Sequence, residues 1–173
     1  TIVASGPNSA IPHHSPTLRE VRAGDLLKID AGALVDGYHS DTTRTFVVGA
    51  EPTAGQLDLH AAVAAAAAAA RATVAPGTTG READDAARAE LTRAGLGDRY
   101  PHGLGHGVGL RIHEAPMLGA VSTDTIESAD VLTIEPGAYV PGFGGVRIED
   151  TLAVTDAGSE SLTTLARDLI RLA

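Results

Sequence analysis

The chain has no cysteine and no tryptophan, and only three tyrosines, two phenylalanines and one methionine. Without cysteine there is no disulfide framework, no thiolate nucleophile and no thiolate metal site. That suits a reducing compartment, and a cytoplasmic location is expected. Lysine is scarce too: 13 basic residues are dispersed along the 173, and Lys28 is the only lysine. Against 22 acidic residues the formal net charge is −9, and no basic patch offers a footprint for nucleic acid. No uncharged apolar run reaches about 18 residues, so no membrane span is expected. The longest stretch of low polarity, residues 61–70, is almost all alanine and reads as a strong helix former. The opening TIVASGPNSA has no charged-then-apolar leader.

What is present is the composition of an ordinary globular domain, 43% hydrophobic and 20% charged. One domain over residues 1–173 is expected, with room for a sizeable core. The acidic excess serves solubility, or it marks carboxylates balanced by bound cations.

TIVAS reads as a short strand and residues 6–17 as a Pro-rich loop. Residues 25–35 and 38–48 read as two strands around Asp36-Gly37, a strong hairpin signal. Residues 53–73 predict a helix stopped by Pro76-Gly77, and 80–94 a second one ended at Gly95. The segment 101–116 is too glycine-rich for a helix, 131–140 and 144–155 read as strands, and the tail from 164 as a short helix. Strands, then helices, then strands predict an α+β fold with antiparallel pairing.

The hairpin brings two acids together. A two-residue turn sets Val35 opposite Tyr38 and Asp30 opposite Thr43, leaving Asp30 diagonal to Asp41 on one face. Diagonal neighbours lie about 7–8 Å apart. His39, Thr43 and Thr45 share that face, and Leu27, Ile29, Ala31 and Ala33 are expected to form the core face. Two like charges at that range repel unless a cation intervenes. A solvated acidic face is the plain alternative. Glu135 in VLTIEPG and Glu149 in GGVRIED add two more carboxylates on short apolar strands. Five of the seven histidines fall in loop-like segments: His13, His14, His102, His106 and His113. His60 reads as structural.

Four carboxylates and one imidazole suit a pair of divalent ions, since four negative charges balance two dications. Oxygen-rich ligands favour manganese, cobalt or iron(II), with zinc still open. A two-metal site activates a water and clamps an attacked carbonyl, which is hydrolase chemistry.

The series IDAGALVDGYHSDTTRTF, HGLGHGVGLRIHEAP and TIEPGAYVPGFGGVRIED resembles the pita-bread metallopeptidases. TTRTF, EPGAYV and RIED resemble the proline-specific branch, Xaa-Pro aminopeptidase and Xaa-Pro dipeptidase (prolidase). The resemblance implies a curved antiparallel sheet covered by helices. It also implies hydrolysis of the bond between an N-terminal residue and proline, in short peptides with proline second. Two divalent ions are implied, manganese first, with cobalt, zinc or iron as alternatives. Asp30 would hold one metal, His106 and Glu135 the other, and Asp41 and Glu149 would bridge. Glu135 would shuttle a proton, His113 and His102 would serve catalysis on the substrate side, and His13 would be a further substrate contact. Arg147 would orient the acids from behind. Asp30 and Asp41 are accordingly expected to be neutralised by metal rather than by Arg or Lys. Methionine aminopeptidases share the ligand set, and non-catalytic pita-bread binding modules are a further alternative. Proline-specific members carry a separate N-terminal domain and more of the pita before this segment. The chain is therefore expected to be the C-terminal catalytic part of a longer enzyme, with a homodimer as a family expectation.

Overall fold

The computed structural model describes residues 1–173. Strand β1 (Ile2–Ser5) runs into a 3-10 turn at Gly6–Ala10, and an irregular loop leads to β2 (Leu26–Ala31). Short strands β3 (Leu34–Val35) and β4 (Tyr38–His39) precede β5 (Thr42–Val48). Helices α1 (Ala54–Thr73) and α2 (Gly80–Arg93) follow. Then come β6 (Gly105–Gly107), β7 (Glu114–Leu118), β8 (Val131–Ile134) and β9 (Gly137–Val140). The chain ends with β10 (Gly144–Arg147), β11 (Asp150–Thr155), β12 (Gly158–Ser161) and β13 (Ile170–Leu172).

Both helices start where the sequence predicts and for the same reason. Thr53 with Gln56, and Thr79 with Glu82, form reciprocal capping boxes that satisfy otherwise orphaned N–H groups. Small buried residues, Ala66 and Ala70 on α1 and Ala83 and Ala87 on α2, share one core with Leu132, Ile134, Val146 and Ile148. Strand alternation then turns Thr133, Glu135, Arg147 and Glu149 to the opposite face.

Strands β1, β2, β5 and β13 form one sheet in that order, and β12, β11, β8, β6 and β7 form another. The hairpin register is the expected one: Val35 lies opposite Tyr38 and Asp30 opposite Thr43. Asp36 and Gly37 take φ of 51° and 88°, the mirror-image turn that matches the twist of paired strands. The ladder opens between the two halves of the hairpin, at 32–33 and 40–41, so Asp41 stands just before β5.

Three expectations are corrected. The buried face of β2 carries Leu26 and Lys28, at 1% and 0% exposure, while Leu27, Ile29 and Ala31 are half-buried and Ala33 exposed. The acid-bearing face is thus the inner one. Long-range hydrogen bonds satisfy its polar groups, as between the Thr45 hydroxyl and the Arg147 carbonyl at 3.2 Å. Second, 131–140 and 144–155 are not continuous strands. Each breaks at its glutamate, where the chain passes between the five-stranded sheet and the β9–β10 ribbon. Pro136 cannot donate to a ladder, which fixes the first break. Third, the tail is extended and pairs with β5 as parallel β13. Arg44 donates to the Ala166 and Leu165 carbonyls at 2.8 and 2.9 Å, and Arg167 grips Asp150 at 2.5 Å. These bonds to backbone and side chain hold residues 165–167 out of a helix.

Candidate metal centre

The two breaks stand side by side, because Arg147 pairs with Gly137 and Asp150 with Ile134. Glu135 and Glu149 are thereby delivered to one place from two junctions. The hairpin delivers Asp30 and Asp41, and β6 delivers His106. Gly105 permits this: a Cβ there would strike the Thr133 carbonyl. One cavity of about 290 Å³ is lined by His13, Asp30, Asp41, His106, His113, Glu135 and Glu149. Seven of the nine predicted site residues are therefore brought together. Arg147 and His102 stand behind the cavity wall.

Asp41, His106 and Glu149 are the tightest group, with one ligand atom each mutually within 4.8 Å. The His106 Nε2 lies 3.4 Å from Glu135 Oε1 and 4.0 Å from Asp41 Oδ2. Its Nδ1 faces the Gly107 carbonyl at 3.0 Å. A carbonyl can only accept, so Nδ1 carries the proton and Nε2 keeps a free lone pair aimed at the acids. The His113 ring meets the His106 ring edge-on, 4.3 Å between centroids.

The electrostatics call for cations. Burial, with Asp30 nearby, raises Asp41 to about 6. Burial is also the main cause that lifts Glu135 to about 8, and it pushes Glu149 well up with help from Glu135 and Asp41. Such acids repel when charged and are comfortable only protonated or beside a positive ion. Hard carboxylate oxygens with one imidazole are the donors that manganese, iron(II), cobalt or zinc accept. The residues present thus fit divalent metal.

The expectation that neither aspartate is answered by Arg or Lys fails for Asp30. Arg147 Nη2 donates directly to Asp30 Oδ2. The same guanidinium bonds Thr43 Oγ1 at 3.1 Å and the Tyr139 hydroxyl at 3.0 Å, and its Nε lies 3.8 Å from Glu135 Oε2. Tyr139 in turn meets His102 Nε2 at 2.8 Å, while His102 Nδ1 faces the Gly103 carbonyl at 2.8 Å. Burial lowers His102 to about 4, leaving a neutral ring with both nitrogens engaged.

Sequence reasoning missed Thr43, Tyr139, Lys28, Arg44 and Asp150. Thr43 Oγ1 donates to Glu149 Oε2 at 2.6 Å. Arg44 Nη1 donates to the Glu149 carbonyl at 2.7 Å, and its Nη2 bonds Asp150 at 2.6 Å. Two signals were available: a lone lysine in an apolar strand, and the hairpin register that sets Thr43 on the acid-bearing face.

The sequence profile described as metallopeptidase family M24 matches residues 1–156. The chain belongs to this family. Its relatives include an Xaa-Pro dipeptidase from Pyrococcus furiosus, 44% identical over 170 residues, covering 98% of this chain and 49% of the relative. Among solved structures, an Xaa-Pro dipeptidase from Bacillus anthracis superposes with a TM-score of 0.95 at 43% identity, covering 99% of this chain and 48% of that one. An X-Pro aminopeptidase from Thermotoga maritima gives 0.95 at 37% identity, with 99% and 48% covered. The chain thus spans about half the length of the relatives it matches. Its fold is the pita-bread fold of M24 members, and membership implies divalent metal ions, in agreement with the donor set above. No helix is long and apolar enough to cross a membrane.

Proposed function

We propose that residues 1–173 form the catalytic domain of an Xaa-Pro peptidase that hydrolyses the bond between an N-terminal residue and proline, using two divalent ions, manganese first. The observation that carries the reading is the convergence of Asp30, Asp41, His106, Glu135 and Glu149 on one cavity. The relatives named above supply the substrate class. Asp30, Asp41, His106, Glu135 and Glu149 would hold the ions. When bound, the ions supply Lewis acidity and a water that ionises near neutral pH.

The chain's own groups do the rest. Glu135, set on the cavity wall at the junction of β8 and β9, is ionised beside a divalent ion. As a carboxylate it accepts a proton from the attacking water and returns it to the departing prolyl nitrogen. His113, on the cavity wall beside His106, donates to the oxygen where negative charge develops. His13 contacts the prolyl side of the peptide, and His102 orients Tyr139. Arg147 fixes the Asp30 carboxylate so that its free oxygen faces the cavity.

The test is a substrate panel with manganese-loaded protein: Xaa-Pro dipeptides, longer Xaa-Pro peptides and peptides with N-terminal methionine. Release of the residue before proline is expected. Selective cleavage after methionine would move the assignment to methionine aminopeptidase chemistry. Metal binding with no cleavage of any peptide would favour a binding module.

A further inference from the structure

Lys28 is completely buried, and the mechanism above gives it no task. A buried ammonium is costly unless its N–H groups find acceptors. Those acceptors are two consecutive backbone carbonyls, Ile11 at 2.8 Å and Pro12 at 3.0 Å. The stem also brings the ammonium over the Tyr139 ring, 4.9 Å from its centroid. The next residue after Pro12 is His13, which lines the cavity.

The bond matters because of where it falls. Between Ala10 and Leu26 the chain has neither helix nor strand, so no ladder fixes the His13 backbone. Side chains take over that task. Arg147 Nη1 reaches the same Pro12 carbonyl at 3.2 Å while holding the Tyr139 hydroxyl. Pro12 itself removes a φ rotation from the junction. One continuous set of contacts therefore runs from Lys28 through Pro12, Arg147 and Tyr139 to His102. It fixes His13 relative to the strands that carry the acids.

We propose that Lys28 is a positioning residue for the substrate side of the cavity: it clamps the Ile11–Pro12 backbone and so sets where the His13 imidazole stands. The inference rests on the reading of the cavity as an Xaa-Pro peptidase site with His13 toward the prolyl side. Its effect is on substrate fit rather than on metal, since Lys28 makes no hydrogen bond to a carboxylate. Displacing a contact group by about 1 Å can cost on the order of a hundredfold in rate. A displaced binding group should therefore show chiefly as a raised KM, by about tenfold or more.

The experiment is a double-mutant cycle of Lys28→Met, His13→Ala and both together, in metal-loaded protein. It is read by KM and kcat on an Xaa-Pro dipeptide and by metal stoichiometry. Histidine ¹H–¹³C spectra of Lys28→Met supply a readout independent of activity. Lys28→Met is expected to raise KM with less change in kcat, to leave metal stoichiometry intact and to shift the His13 ring resonance. In the His13→Ala background it should add less than about twofold, the non-additivity of residues that act through one another. An undiminished effect in that background overturns the proposal. So does an unmoved His13 resonance, or metal loss in step with activity. Lys28→Gln, which keeps a donor for one carbonyl, covers the case in which Lys28→Met does not fold. An intermediate shift supports the clamp, and a wild-type resonance and KM overturn it. If wild type cleaves no Xaa-Pro peptide, the functional reading fails, while the His13 resonance still decides the clamp.

Discussion

Thr43 holds Glu149 twice. Its hydroxyl donates to Oε2 at 2.6 Å, and its carbonyl accepts the Glu149 N–H at 3.1 Å. Thr43→Val keeps the shape and the backbone bond but removes the hydroxyl, which also accepts from Arg147. Metal affinity is expected to fall about tenfold to a hundredfold, the usual effect of losing an outer partner. Stability should fall by about 1–3 kcal/mol, because a buried acceptor is left unmade. Calorimetric titration with manganese and chemical denaturation measure the two.

Asp41→Ala should abolish tight binding of at least one ion, because it removes one carboxylate of the Asp41, His106 and Glu149 group. Glu135→Gln should keep the fold and lower turnover by about a hundredfold or more, the range assigned to lost proton transfer. Elemental analysis and dipeptide kinetics check both. Full metal occupancy in Asp41→Ala would revive the solvated acidic face, and full turnover in metal-loaded Glu135→Gln would remove the proton-shuttle role.

The raised carboxyl pKa values set a pH dependence whose sign is fixed. In the unfolded chain these acids ionise near their ordinary value of about 4. In the folded, metal-free chain, burial holds Asp41 to about 6 and Glu135 to about 8. Across that window these carboxyls carry more protons in the folded state, so their contribution to stability falls as pH rises from about 4 to about 8. A smaller opposite contribution comes from His102 and Lys28, whose burial lowers them to about 4 and about 7. Chelated protein should melt at a lower temperature at pH 8 than at pH 5. Adding manganese should restore most of the loss at pH 8, with proton release on binding. A melting temperature of chelated protein that rises over this window contradicts the reading.

The four legible acids came from local signals: a turn dipeptide, strand alternation and a proline after Glu135. The register that pairs Asp30 with Thr43 was readable because Asp36-Gly37 demands one turn type. The choice of buried face was not. An apolar row of Leu27, Ile29 and Ala31 looks like core, and nothing local announces that Lys28, Thr43 and Thr45 find partners from distant segments. The same holds for the tail, whose helical pattern yields to Arg44 and Arg167. Family likeness supplied what geometry could not, the choice of His106 among seven histidines.

Asp150 is completely buried and receives Arg44, Arg71 and Arg167 at 2.6, 3.3 and 2.5 Å. Asp150→Asn would leave this arginine group without its buried counter-charge. A loss of about 3–5 kcal/mol is expected, as when one member of a buried pair is removed. Limited proteolysis should show the tail after Ser161 cut first, because Arg167 loses its anchor. Denaturation midpoints and mass-identified fragments report both effects.

The Thr43–Glu149 bridge spans 106 residues of sequence. A ribosome delivers Asp30, Asp41 and their turn early, and Glu149 only after both helices have emerged. Closing so long a loop carries an entropic cost of about (3/2)RT ln n, which the packed helices and sheets must already have offset. The cavity that gathers the four acids is therefore among the last features of the domain to exist. Any chain cut short of residue 149 holds at most three of the four acids, and on the reading proposed above metal occupancy becomes a direct count of molecules that finished folding.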